Sequence, residues 1–464
     1  MHLPPIVALF LTVAFIIFLF RRDVRERPNI SGALWLPLLW VLLIGSRSPT
    51  QWLSLGGFMQ GAPMEEGNPL DAFVYFVLIA VGFCILNKRQ VSLSEVFRNN
   101  GWLMAFLLYC LIAILWSDFP FVAFKRWIKI LGHPVMVLIL FTEPDPEEAL
   151  TRLMKRSAYV LVPISILFIK YYEGLGRGFD AWTGAAMSNG INTSKNELGW
   201  MCMILGFFFF WHFLKALKAE KSKARRNDLL LTGGFLYMIW WLLFRADSST
   251  SLISLLVGMV IVALLGLRSV NKRLISLYLL LAVVTLVVGE VTVGISGHLV
   301  DLTGHSTTLA GRRELWGELL ALHTNPIFGV GFESFWLGER LKTLAAQHWW
   351  QPTEAHNGYL ETYLNLGLIG LFILIGCIIS TYRKARLDLL RNFQFGRFRL
   401  GFLAAVVVLN WTEATFKGLS AVWFVFYIIA MDYPVFATYG SDGSFEHGIS
   451  AETETSSVSV GVHL

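Results

Sequence analysis

The sequence predicts an all-α, polytopic membrane protein, and three observations carry that expectation. Of its 464 residues, 55% are hydrophobic and only 15% are charged, against roughly 25% charged in soluble domains. The apolar residues gather into runs near the length that crosses a bilayer. Between those runs, Lys and Arg crowd into some connections and avoid others, which sorts the loops by side of the membrane.

Taken in order, the runs lie at 3–20, 31–46, 71–87, 101–116, 127–141, 157–170, 197–214, 229–244, 250–266, 274–290, 362–380, 400–416 and 420–437, about 12–13 transmembrane helices. Arg21-Arg22 follows the first run where a secretory signal would carry small residues, so that run reads as a retained helix. Arg25 and Arg27 come next, then KALKAEKSKARRND (215–228) and YRKARLDLLRNFQFGRFR (382–399) further on. These basic connections mark the cytoplasmic side, with the N-terminus outside and the C-terminus inside. The net charge of +6 therefore carries no nucleic-acid signal, because position matters more than the sum. Cys84, Cys110, Cys202 and Cys377 all fall within apolar runs at no pairing spacing and read as small core residues.

The expected organisation is ten helices over 1–290, one long outer loop over 291–361, the last helices over 362–438, and a disordered cytoplasmic tail over 439–464. Loops as long as this one usually serve function. Within it, GRRELWGELLALHTNP (311–326) sets Leu315, Trp316, Leu319, Leu320 and His323 at helical spacing, an amphipathic helix for a membrane surface that Asn325-Pro326 ends. A second short helix is expected over 333–348.

Candidate chemistry begins at EAHNGYLETYLNLGLIG (354–370). With Thr353 as N-cap, His356 would stand in the first helical turn, with Tyr359, Leu360, Tyr363, Gly367 and Gly370 returning beneath it. The helix dipole there would lower its pKa and leave a neutral imidazole, as a general base requires. The other reading is a headgroup-level polar residue that finishes a helix. The glycines would let a neighbouring helix pack closely under the imidazole. Arg312 and Arg313 diverge by about 100° on a helix, so one of them faces any given site. Either anchors lipid headgroups or binds phosphate bidentately. Arg245 and Lys195, at the ends of two spans, have the same two readings. No carboxylate pair, DxD, HExxH, His/Cys metal spacing or P-loop stands on the outer side, so neither a metal nor another cofactor is expected. Glu413, near the end of a span, is the main acidic residue of the kind that carries protons in transporters.

His356, Asn357, Gly367 and Gly370 (HN-x9-GxxG), with GRxxLW at 311–316 and NPxFGVGF at 325–332, resemble the signature of the bacterial O-antigen ligase and O-antigen polymerase superfamily. A KN-x-LG at Lys195, Asn196, Leu198 and Gly199 fits it too, and LWSDFPFVAFKRWIKILG (115–132) is similar to the exopolysaccharide-polymerase branch. The resemblance covers roughly 110 to 380. It implies an inverting, metal-independent glycosyltransferase of the inner membrane, with its site facing the periplasm. The donor would be a glycan on undecaprenyl diphosphate and the acceptor another lipid-linked glycan or lipid A-core. Proteins of polysaccharide export or chain-length control would be further partners. His356 would take the proton from the acceptor hydroxyl, and Arg312 would hold the diphosphate. The sequence departs from the family at ADSST (246–250), where Ser249 stands in place of an arginine. Arg245, four residues earlier and on the same face if the helix continues, would substitute there, or Lys195 or Arg177 would. A transporter is the competing class; it would show inverted repeats and mid-membrane charges.

Overall fold

The computed structural model describes residues 3–26, 28–55, 67–179, 184, 186–279, 281, 306–322, 324–348 and 350–433. Among these the chain is almost wholly helical, apart from an antiparallel ribbon in which Arg177–Phe179 pairs with Ala186–Ser188. Five described helices are long and apolar enough to cross a membrane: Pro5–Arg25, Pro69–Lys88, Lys195–Lys218, Lys223–Ala246 and Gly358–Arg391. A sixth span counts if Leu93–Asn99 and Gly101–Trp116, bent by 103°, are taken together, and Gly32–Ile44, Ser249–Leu265 and Ala421–Ala430 are shorter apolar helices. The all-α, polytopic expectation holds. Most of the run at 274–290, the loop residues 291–305, His323 and the tail at 439–464 lie outside the described residues.

Burial separates centre from rim. In Pro5–Arg25 only 11% of the apolar window is buried, and Phe10 and Phe18 face outward, as lipid-facing residues would. Lys195–Lys218 has 67% buried and forms the central post. Gly132–Phe141 is buried at every position, as a helix that is apolar all round must be. Ser249–Leu265 wedges between Lys195–Lys218 and Phe393–Leu409, and the reason is size. A Cβ on Gly258 would sit 2.9 Å from Phe207 and 3.0 Å from the Gly401 carbonyl, and one on Gly401 would sit 2.5 Å from Val262. Small residues of this kind let apolar helices approach where lipid offers no hydrophobic contrast.

The helices also have a consistent sense. Lys195–Lys218 and Gly358–Arg391 both start at one end of the bundle and finish at the basic end. A 24-residue helix spans about 36 Å, so the two ends stand a membrane's thickness apart. At the basic end, ion pairs lock helix to helix. Asp23 takes Arg152 at 2.8 Å and Arg156 at 2.6 Å, Asp228 takes Lys155 at 2.6 Å, and buried Arg399 takes Asp388 at 2.5 Å and Asp432 at 2.9 Å.

Candidate active site

The opposite end is built on a broken helix. Gly358–Arg391 is interrupted at Gly367, whose φ of +65° and ψ of −166° leave helical space. Such a break frees amides and carbonyls that hydrocarbon cannot satisfy. The turn at 326–331 supplies the partners: Leu368 N donates to Pro326 O (2.9 Å) and Ile369 N to Ile327 O (3.3 Å). In return, Val330 N and Gly331 N donate to Leu364 O (3.2 Å) and Asn365 O (2.9 Å). Contact is so close that a Cβ on Gly367 would lie 2.2 Å from the Ile327 carbonyl, and one on Gly329 would lie 2.4 Å from that of Asn365. The expectation that Gly367 smooths a helix–helix seam is therefore corrected: it opens the helix and seats the 326–331 turn in the gap. Gly370 faces Leu366 of its own helix.

That turn anchors a small second core. Leu315 and Leu319 of the Ser306–Ala321 helix bury against Phe335, Leu344, Ala355 and Leu364. The apolar face expected to rest on the membrane is instead covered by the loop itself, with Leu320 left exposed. The second short helix is Gly338–Gln347.

His356 is not in a helical turn. Its φ is +47°, and the N-cap of Gly358–Arg391 is Asn357, whose Oδ1 accepts from Tyr359 N and Leu360 N at 3.0 Å. Thr353 does not cap that helix. Next to Asn357, Gly358 presses onto Asn410: its amide donates to the Asn410 carbonyl at 2.9 Å, and a Cβ would lie 2.1 Å from Oδ1. Asn410 in turn folds the connection WTEATFKG (411–418), accepting from Thr415 N at 2.9 Å and Phe416 N at 3.2 Å. His133, from the buried Gly132–Phe141 helix, pins the same connection, its Nε2 lying 3.0 Å from the Gly418 carbonyl.

The connection delivers two charged residues to His356. The imidazole Nδ1 lies 2.9 Å from Glu354 Oε1 and 3.8 Å from Glu413 Oε2. Lys417 Nζ donates to Glu354 Oε2 at 2.6 Å. Arg312 Nη2 reaches Glu413 Oε1 at 3.3 Å while Nη1 donates to the Thr412 carbonyl at 2.5 Å. Asn196 Nδ2 donates to Glu413 Oε2 at 3.4 Å, and the Thr250 and Thr412 hydroxyls meet at 2.8 Å. Glu413 is thus a hub for three side chains. A carboxylate pair does stand on this side, assembled across 59 residues of sequence where no short motif reveals it. Glu354, His356 and Glu413 bring ligand atoms within 4.8 Å of one another, a set that could hold a cation. Lys417 and Arg312 already neutralise those carboxylates.

The electrostatics reverse the expected sense. Burial pulls the His356 pKa down, but Glu354 and Glu413 outweigh it and hold the imidazole up at about 9. Glu354, which burial alone would raise, is held well below the usual carboxylate range by Lys417 and His356. Lys417 is raised, its desolvation overcome by Glu354 and Glu361. The dipole argument for a depressed His356 fails because the residue precedes the helix and two carboxylates face its Nδ1.

Of the other candidates, Arg313 is exposed, so Arg312 is the member of the pair that faces the cluster. Lys195 opens the helix that carries Asn196 into it. Arg245 does not share a continuous helix with Ser249, since Lys223–Ala246 stops at Asp247 in the left-handed region and a new helix begins. Both residues nevertheless line a second cavity of about 380 Å³ with Trp240, Phe244 and Ser248. Sequence reasoning missed Glu354 and Lys417 and gave Glu413 a different role. The signal available was a pair of opposite charges inside a short connection between two strongly apolar helices.

A family model described as O-antigen ligase matches residues 233–375. That match covers under a third of the chain. The chain is also similar to the exopolysaccharide production protein ExoQ of Rhizobium meliloti (strain 1021), 29% identical over 299 residues that cover 61% of this chain and 64% of that one. Under two thirds of that relative's length is thus matched. The segment 233–375 is thus similar to O-antigen ligases, and the longer likeness is to an exopolysaccharide production protein. Arg245, Arg312, Arg313, His356, Asn357, Gly367 and Gly370 fall inside the matched segment, whereas Lys195, Glu413 and Lys417 fall outside it.

Proposed function

We propose that the protein is an inner-membrane glycosyltransferase that polymerises exopolysaccharide or O-antigen repeat units from an undecaprenyl diphosphate donor, with its site on the periplasmic face. One observation carries the reading: a histidine whose Nδ1 is engaged by carboxylates stands beside an arginine, at the bundle end opposite the basic residues. The positive-inside rule puts that end outside the cytoplasm.

With Nδ1 facing Glu354 and Glu413, Nε2 is the nitrogen left to act. An acceptor hydroxyl attacks the anomeric carbon of the donor sugar, the bond to phosphate breaks, and the hydroxyl proton passes to His356 Nε2. The carboxylates stabilise the imidazolium that forms, and the lipid diphosphate leaves with the negative charge. Arg312 is the cation placed to meet that charge as it builds, and fixed charge aimed at a leaving group lowers the barrier. Arg245 and Lys195 are candidates for a second diphosphate contact. Attack from the face opposite the leaving group inverts the anomeric centre. The name of the ExoQ relative favours an exopolysaccharide product. Transfer to lipid A-core is the second reading. A transporter is disfavoured because the His356 charge cluster sits at an end of the bundle, on loops.

The deciding experiment compares the size profile of surface and lipid-linked glycan in a deletion strain complemented with wild type or His356→Ala. Single repeat units on carrier lipid, not restored to polymer by the variant, are the expected result. Long polymer stranded on the carrier means a ligase, and an unchanged profile overturns the proposal.

A further inference from the structure

Next to the cluster lies a cavity of about 500 Å³, roofed by the outer loop and walled by the first turns of two long helices. Its volume falls within the roughly 300–1,000 Å³ of small-molecule sites. Glu354 and Lys417 form part of its wall, so it adjoins His356 through the Glu354 carboxylate. The lining is unusual in what it leaves undone. Asn192 Oδ1, Trp200 Nε1, Glu333 Oε1 and Ser420 Oγ are all buried and have no hydrogen-bond partner among the described residues. Asn192 is only 3% exposed, and its Nδ2 is spent on the Gly45 carbonyl, so Oδ1 alone is uncommitted. Ser420 stands at the N-cap of Ala421–Ala430 without capping it. Four orphaned polar atoms around one space are far from the norm for buried groups, which nearly always find partners.

From this we infer that the cavity is a saccharide subsite for a neutral, polyhydroxylated ring of the glycan, one position removed from the reacting hydroxyl; the inference rests on the glycosyl-transfer reading. A sugar ring offers donors and acceptors around its rim, which suits two lone-pair acceptors, an indole N–H donor and a hydroxyl that does either. The indoles of Trp200 and Trp336 add apolar faces for the C–H side of a pyranose. Charge excludes the diphosphate as occupant: Glu197, Glu333, Glu354 and Glu361 outnumber Arg126 and Lys417 in the wall. The anion is left to Arg312, which pairs with Glu413 and does not line the cavity. The cavity then selects which sugar is admitted, while His356 acts on a neighbouring hydroxyl.

The test uses the full chain in lipid nanodiscs and saturation-transfer NMR. The probes are neutral di- and trisaccharides released by partial acid hydrolysis of the strain's own surface polysaccharide, with inorganic pyrophosphate and Ca²⁺ as competitors. Binding by wild type is expected, weakened about tenfold in the Trp200→Phe/Ser420→Ala double variant, which removes two hydrogen-bonding groups and little volume. Neither competitor should displace the saccharide. Unchanged melting of the double variant checks that the fold is intact, and each single variant gives a milder reading if it is not. No saccharide binding, equal binding by the variant, or displacement by pyrophosphate or Ca²⁺ overturns the subsite. His356→Ala separates the two readings: it should bind saccharide within twofold of wild type while losing transfer. Retained transfer there removes the base assignment and leaves the subsite standing.

Discussion

The two ends of this bundle use the same chemistry to different purpose. At the basic end, Asp23 sits between Arg152 and Arg156, all three on regular helices and all nearly sealed from solvent. At the other end, Glu354 and Glu413 also sit between cations, but the groups are carried by irregular backbone and His356 stays 22% exposed. Three residues around this end, Glu333, Gln351 and His356, hold φ near +47° without being glycine. Strain of that kind costs about 1–3 kcal/mol each and persists where surrounding structure enforces it. One cluster closes helices together, and the other holds a reactive group open. The difference lies in the backbone that carries the charges more than in the charges themselves.

Substitutions can sharpen that contrast or break it. The largest effect is expected from Gly367→Leu, which loses the left-handed conformation and collides with the Ile327 carbonyl. Melting in detergent should drop sharply and polymer should vanish; normal melting with full activity would refute the seated-loop geometry. Next, His356→Ala should lower transfer by about 10²–10⁴-fold with melting unchanged. Asp23→Ala, which strands buried Arg156 and leaves Arg152 to Glu26 and Glu148, should cost about 3–5 kcal/mol of stability while the folded fraction keeps its activity. If both variants lose stability equally, the functional reading of the exposed end fails. Arg312→Lys keeps the charge but loses the fork, so transfer should fall more than tenfold, short of the about 10²–10³-fold expected when a transition-state contact is removed outright.

The smallest effect is a shift in pH dependence. A base must be unprotonated, so a His356 pKa near 9 predicts that kcat/KM climbs with pH and levels off only above about 9. In Glu354→Gln the main charge raising that pKa is gone, and the limb should move down toward the ordinary histidine value of about 6.5. A limb that stays put means another group is titrating.

Much of this was legible in the sequence, and what was not has a physical reason. Hydropathy gave the all-α, polytopic class, because bilayer insertion leaves a one-dimensional record. The His356 and Arg312 pairing came from spacing and resemblance, and the structure joins them through Glu413. Glu413 and Lys417 were hidden because their roles depend on Asn410 folding a short connection against Gly358, a tertiary contact no periodicity encodes. Gly367 misled for a related reason. Two glycines three apart on an apolar run fit close helix packing and helix rupture equally well, and only the partner turn at 326–331 decides between them.

That partner turn bears on how the protein is made. It precedes the broken helix in the chain, so during synthesis the plug has already emerged before the gap it fills enters the membrane. The reverse order would leave bare amides in hydrocarbon until their partners arrived. A chain in which the 326–331 turn followed the broken helix would reach the same contacts only after a hazardous moment in its biogenesis.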